Sequence, residues 1–262
     1  MRENSLRAIW AQRGSALGGW LTVPSAMSAE IMAHAGFDWV CVDMQHGMID
    51  FSHLVPMLQG ISSTDTVPLA RVPRNEPGII GKCLDAGAWG VIVPMVNSRE
   101  EALEAVAACR YAPQGIRSYG PLRANYYAGF DYFTRANGEV TCIVMVETKI
   151  AVDRVEEIVS VPGVDAVYVG PADLSVTLGL APAPDHDEPI FTDALDKVLD
   201  ACRRHDVVPG IAGNSETAVK RLEQGFRFVE VASDARLLGI GAGLALEHVR
   251  PRTGSEAKSA YL

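Results

Sequence analysis

Four short stretches of this 262-residue chain place residues capable of acid–base, anion-binding and metal-binding chemistry directly behind apolar runs. They are Asp43-Met44-Gln45-His46-Gly47, Arg71, Glu147 and Gly170-Pro171-Ala172-Asp173-Leu174-Ser175. His46 can serve as a general base, or sit satisfied in a turn. Asp43 can orient that ring or bond the loop backbone. Arg71 closes an apolar strand, where a guanidinium needs an anionic partner: an internal carboxylate, or a substrate carboxylate that fits its bidentate fork. Glu147 can be a carboxylate favoured by a helix N-terminus, and Asp173 can cap the helix that follows. Alternatively the two, on neighbouring strand ends, chelate one hard divalent cation such as Mg²⁺ or Mn²⁺ and leave positions open for substrate. No His or Cys pair lies nearby, which disfavours zinc.

These stretches must be brought together by the elements that carry them. Apolar, β-branched runs fall at 17–23, 39–43, 67–72, 90–96, 140–147, 164–169, 207–211 and 226–231. Their apolarity is continuous rather than alternating, as strands covered on both faces require. Amphipathic stretches lie between them. Ser98 with Glu101 reads as a capping box, 150–159 as one helix, and Asn214 as a cap. Gly36, Gly87, Gly163 and Gly225 each precede a strand, where a helix ends and the chain turns. Eight strand-then-helix units predict one α/β domain over residues 1–262, a (β/α)8 TIM barrel, with chemistry at the carboxyl ends of its strands. A doubly wound open sheet is the alternative, disfavoured because no Gly-rich nucleotide loop follows the first strand. Residues 111–137 interrupt the rhythm with five of the seven tyrosines plus Phe130 and Phe133. They read as an extra packed helix, or as a lid or subunit contact. The polar segment 252–262 reads as a flexible tail.

Composition narrows the function classes. The net charge of −9 and the lack of a Lys/Arg run argue against nucleic acid as a partner. No run of about 18 apolar residues is present to span a membrane, and residues 1–10 lack a signal-peptide apolar region. Cys41, Cys83, Cys109, Cys142 and Cys202 are widely spaced among apolar neighbours, as expected of reduced, buried thiols in a cytoplasmic protein. The remaining histidines, His34, His53, His186, His205 and His248, read as structural or surface residues.

From Leu17 to Leu246 the chain resembles the HpcH/HpaI aldolases, the metal-dependent class II pyruvate aldolases. The resemblance rests on Val42-Asp43-Met44-Gln45-His46-Gly47, Pro68-Leu69-Ala70-Arg71-Val72, Val93-Pro94-Met95-Val96, Gly115-Ile116-Arg117 and Val169-Gly170-Pro171-Ala172-Asp173-Leu174-Ser175. It implies a barrel assembled as a hexamer, a trimer of dimers with exchanged C-terminal helices. It implies Glu147 and Asp173 as ligands of Mg²⁺, Mn²⁺ or Co²⁺, Arg71 on the keto-acid oxygens, His46 as the acid/base group, and Gly170, Pro171 and Ala172 as the carboxylate cradle. Asp85 matches the aspartate that pairs with the family histidine. It ends a helix away from its own barrel mouth, so a neighbouring subunit would have to deliver it. The chain departs from many members in having Gln45 for Glu and Met145 for Gln. Gln45 carries no charge, which with Asp43 leaves a less negative surround for the metal.

The reaction this implies is cleavage or formation of a 4-hydroxy-2-oxo acid, with pyruvate and an aldehyde as the small-molecule partners. Three other readings stand beside it. Lys149 could form a Schiff base, although a lysine near Glu147 would keep its charge. Another metal-enolate reaction on a CoA ester or phosphoenolpyruvate would need an extra cationic site. A keto-acid-binding oligomer would bind without turnover.

Overall fold

The computed structural model describes residues 2–253. Eight strands, β1 (Ala16–Leu21), β2 (Trp39–Asp43), β3 (Val67–Arg71), β4 (Gly90–Val93), β5 (Thr141–Val146), β6 (Ala166–Val169), β7 (Val208–Ile211) and β8 (Phe228–Ser233), close into a barrel in sequential order. Every neighbouring pair is parallel, and β8 returns to β1 with a register shift at Gly18/Gly19. The expected (β/α)8 barrel is therefore found, and closure removes the open-sheet alternative. The helices are α1 (Ser5–Ala11), α2 (Ala26–His34), α3 (Phe51–Ile61), α4 (Pro77–Asp85), α5 (Arg99–Cys109), α6 (Leu122–Ala128), α7 (Tyr132–Glu139), α8 (Lys149–Asp153), α9 (Val155–Val159), α10 (Pro171–Thr177), α11 (Pro189–His205), α12 (Ser215–Gln224) and α13 (Asp234–Thr253).

The strands form because their residues are buried on both faces, against helices outside and aromatic side chains inside. Trp39 fills the barrel axis, 4.2 Å from the Phe228 ring and 6.3 Å from Tyr168. Gly18 makes room for it, since a Cβ there would fall 1.9 Å from the indole. Burying such a ring stabilises the barrel by roughly 2–3 kcal/mol.

Local signals set the helix ends. Gly36, Gly87, Gly163 and Gly225 all take positive φ, between 97° and 108°. Asn214 forms a capping box with Thr217. Ser98 caps α5 through the Glu101 N–H, but the Glu101 carboxylate goes to the Asn97 N–H, so the expected box is only half made. The helix expected over 150–159 breaks at Arg154 into α8 and α9. β4 stops at Val93 rather than Val96, because Pro94 and a left-handed Met95 end it.

The 111–137 insertion joins α5 to β5, so both its ends lie at the barrel floor. It forms α6 and α7, and Tyr127 and Tyr132 pack on Trp89 at the entry to β4. It cannot close over its own mouth. Leu122, Tyr126 and Phe130 nevertheless stay exposed on it. All five cysteines are free and buried. Among the described residues no helix is long and apolar enough to cross a membrane. The tail expectation lies outside the described residues beyond Thr253.

Candidate active site

The carboxyl ends of β2 and β3 meet at Asp43 and Arg71, which are register partners. Both are buried. Arg71 donates from Nε to Asp43 Oδ1 at 2.8 Å and from Nη2 to Oδ2 at 2.6 Å. Asp43 also accepts from the Trp20 indole N–H at 3.2 Å and from the backbone N–H groups of Gln45 and His46. Burial works against both charges. The Arg71 hydrogen bonds and charge still hold the Asp43 carboxyl below its ordinary range, and Asp43 holds the guanidinium above its own. Of the roles open to Asp43, the structure selects the loop backbone and not the His46 ring. Arg71 makes the internal pair, but its Nη1 faces only the Met145 sulfur, at 3.9 Å, and remains available. The His46 ring is exposed and has no side-chain partner among the described residues.

Glu147 directly follows β5 and is buried. Its Oε1 accepts the Met95 N–H at 2.7 Å. Met95 holds φ 57°, a conformation that costs a non-glycine residue roughly 1–2 kcal/mol. Two contacts pin it: Asn97 Nδ2 donates to the Met95 carbonyl at 2.7 Å, and Asn97 Oδ1 accepts the Thr148 hydroxyl. The turns after β4 and β5 thus lock each other, and Glu147 with them. Burial pushes the Glu147 carboxyl up, the Met95 N–H opposes this, and the nearby Asp173 charge adds to the rise. Asp173 lies exposed in the first turn of α10. Gly170 precedes that helix, packed so closely that a Cβ would lie 2.7 Å from Glu147 Oε2. Pro171 has no N–H, so within 170–172 only Gly170 and Ala172 can offer one to an anion.

Among the described residues no group of three or more His, Cys, Asp or Glu side chains could hold a metal ion. The donor set at this mouth is a pair of carboxylates, Glu147 and Asp173, close enough to interact electrostatically. A hard cation such as Mg²⁺ is commonly held by one or two carboxylates, with its other positions left to water and substrate, so the pair fits it. The Gln45 side-chain oxygen is buried without a hydrogen-bond partner.

Other expected residues fall elsewhere. Asp85 is the last residue of α4, at the barrel floor, where it pairs with Arg117 at 2.7 Å. The structure does not bring it to His46 within one chain. Lys149 is exposed and paired with Asp153 at 2.6 Å. His34, His53, His186 and His205 bond elsewhere, to Ser63, Asp50, Glu188 and Glu156.

Two groups escaped the sequence reading. Asp234, at the start of α13, accepts from Thr22 and Val23 N–H groups and from the Ser28 hydroxyl, tying β8 to the β1–α2 turn. Glu230, on β8, accepts the Tyr168 hydroxyl at 3.2 Å. Tyr168 stacks on Trp20 at 5.5 Å and 10°, and the Arg71 guanidinium lies 4.9 Å from the Trp20 ring centroid. A lone carboxylate inside the apolar run 226–231 was the signal available.

A family model described as HpcH/HpaI aldolase/citrate lyase matches residues 17–239. The hydroxypyruvate/pyruvate aldolase of Rhizorhabdus wittichii is 38% identical over 248 residues, 94% of this chain and 99% of that protein. The 2-dehydro-3,6-dideoxy-6-sulfogluconate aldolase of Pseudomonas putida is 38% identical over 249 residues, 94% of this chain and 97% of that one. Among solved structures, an HpcH/HpaI aldolase/citrate lyase family protein of Burkholderia cenocepacia superposes with a TM-score of 0.88 at 34% identity, covering 94% of this chain and 99% of that chain.

Proposed function

The chain belongs to the HpcH/HpaI aldolase/citrate lyase family and is a carbon–carbon lyase, and from that premise we propose a divalent-metal-dependent aldolase acting on 4-hydroxy-2-oxo acids. Its two products, or substrates in the reverse direction, are pyruvate and an aldehyde. The observation that carries this reading is the meeting of Glu147, Asp173 and Arg71 at one barrel mouth. The aldolases of R. wittichii and P. putida, similar over almost the whole chain, support it.

Glu147 and Asp173 would hold the cation, Mg²⁺, Mn²⁺ or Co²⁺. When bound, it supplies Lewis-acid polarisation of the keto oxygen. Arg71 directs its uncommitted Nη1 at the keto-acid oxygens, where charge develops as the enolate forms. The free N–H groups of Gly170 and Ala172, at the start of α10, receive the carboxylate, and Pro171 fixes the turn. His46 takes the C4 hydroxyl proton. The C3–C4 bond then breaks, its electron pair stays with the pyruvate half, and the aldehyde leaves. Asp85 orients His46 from a neighbouring subunit, so the assembly, a hexamer built as a trimer of dimers, completes the site.

Exchange of α13 between subunits fits its surface. Leu238, Leu244 and Leu246 are exposed on this 20-residue helix, and Met27 and Ile31 are exposed on α2 beside it. Lys149, exposed and ion-paired, gives the Schiff-base route no support.

Proton NMR of the pyruvate methyl group in D₂O tests the reading. Exchange that requires Mg²⁺ and stops on chelation is expected. Pyruvate binding with no exchange, with or without metal, and no cleavage of any 4-hydroxy-2-oxo acid would overturn it.

A further inference from the structure

The mechanism above leaves one carboxyl group inside the barrel without a task. Glu230 sits on β8 two residues beyond Phe228, which packs against the central rings. Its register partner on β1 is Gly18, which fills none of the space inside. The residue keeps some exposure to the mouth, while its carboxyl lies deep among protein atoms. Tyr168 donates to Oε2 at 3.2 Å, and the Gly213 N–H donates to the carboxyl from the turn after β7.

The groups that bear on its charge come from across the barrel. β6 presents Tyr168, β2 presents Cys41 and Asp43, and β3 presents Arg71. β1 and β7 carry no titratable side chain. Asp234, beyond β8, is turned to Thr22, Val23 and Ser28. On the outside, α12 directs Lys220 and Arg221 to Asp185. Among the described residues Arg71 is thus the one cation that bears on Glu230, and Asp43 already neutralises it. A second carboxylate leaves this cluster with a net charge of −1, and an anion arriving at Arg71 meets repulsion.

We propose that Glu230 is a substrate-recognition residue of this site, which admits the anionic keto acid to the mouth beside Arg71 when protonated and opposes it when ionised. The inference rests on the keto-acid reading of the mouth. Burial pushes the Glu230 carboxyl up to about 7, against the Gly213, Tyr168 and Arg71 contacts that pull it down and with the Asp43 charge that raises it. Both forms are therefore populated near neutral pH. By linkage, keto-acid binding takes up a proton at Glu230.

The test is the pH dependence of KM and kcat for the aldol reaction, from pH 5.5 to 9, with the full-length protein. If only the protonated form binds, KM at pH 8 should be about tenfold higher than at pH 6. Glu230→Gln keeps an acceptor for Tyr168 and cannot ionise, so its KM should lose this rise while the kcat profile stays. Tyr168→Phe removes a contact that favours the ionised form, so the rise should move to higher pH. An identical alkaline rise in KM in Glu230→Gln and wild type overturns the proposal. So does a flat wild-type KM. If Glu230→Gln fails to fold, calorimetric pyruvate binding by the wild type at pH 7, in two buffers of different ionisation enthalpy, reports the proton directly, and zero uptake overturns the proposal. Wild-type protein that neither binds pyruvate nor exchanges its methyl protons overturns the functional reading instead, and this inference with it.

Discussion

Gly170 and Glu147 stand so close that a side chain at 170 and the carboxylate at 147 cannot both keep their places, a Cβ falling 2.7 Å from Oε2. The two residues directly follow neighbouring strands, β5 and β6, joined by the Val146–Val169 pairing just below. The glycine therefore sets where the buried carboxylate points. Gly170→Ala should fold normally, because the displaced group is the end of a side chain. It should bind Mg²⁺ at least tenfold more weakly, by the magnitude expected when a ligand is reoriented. Metal titration beside a melting curve checks this, and unchanged affinity would show that Glu147 moves freely.

As a proposed metal ligand, Glu147 ties metal binding to stability. Its carboxyl is raised by burial and by Asp173, against the Met95 N–H. A raised carboxyl destabilises the metal-free fold as pH climbs through the unfolded value and then the folded one. Glu147→Gln should thus melt higher than metal-free wild type at pH 8, with little difference at pH 4. Saturating Mg²⁺ should stabilise wild type by ~2.7 kcal/mol at a hundredfold excess over Kd. The variant should gain almost nothing. Equal Mg²⁺ stabilisation of both would remove Glu147 from the ligand set.

The Asp43–Arg71 pair is the opposite case. Asp43 is held down by Arg71 despite burial, so it contributes stability above its unfolded value, and that contribution fades as pH falls through the folded one. Asp43→Asn leaves a buried guanidinium without its countercharge, at a cost of about 3–5 kcal/mol near neutral pH. The gap between wild type and variant should narrow on acidification below about pH 4. Denaturant titrations at pH 7 and pH 3 measure it, and a pH-independent gap would contradict the assignment.

Asp85 lies at the barrel floor on Arg117 while His46 lies at the mouth. If a neighbour supplies Asp85, then Asp85→Ala and His46→Ala are each inactive alone, and mixed oligomers recover a fraction of wild-type turnover. Subunit exchange after mild dissociation, followed by an activity assay, decides this. No recovery in verified mixed oligomers would return Asp85 to a structural role.

Lys149 pairs with Asp153 at the surface. Lys149→Ala should keep kcat within about threefold, as surface changes usually do. Borohydride with pyruvate should leave no adduct in the mass spectrum. A trapped adduct at Lys149 would reinstate the Schiff-base route.

The sequence by itself determined the architecture and the end of the barrel at which the candidate residues gather. Eight continuous apolar runs can be buried on both faces only in a parallel sheet. Once that sheet closes, His46, Arg71, Glu147 and Asp173 all fall at one end, because each follows or closes its strand. The glycine helix ends were equally legible, since positive φ is a local property. Partnerships were not. That Arg71 spends two nitrogens on Asp43 and keeps one depends on the register of β2 against β3. That Met95 adopts a left-handed turn to hold Glu147 depends on Asn97 and Thr148 meeting across two loops. Glu230 reads as one residue of an apolar strand until the barrel closes and Tyr168 faces it from β6. The floor position of the 111–137 insertion follows from its lying between α5 and β5. Spacing along a chain reports which residues share a face or an end. Only closure of the barrel brings side chains from distant strands within hydrogen-bonding distance, and with that the charge each one carries.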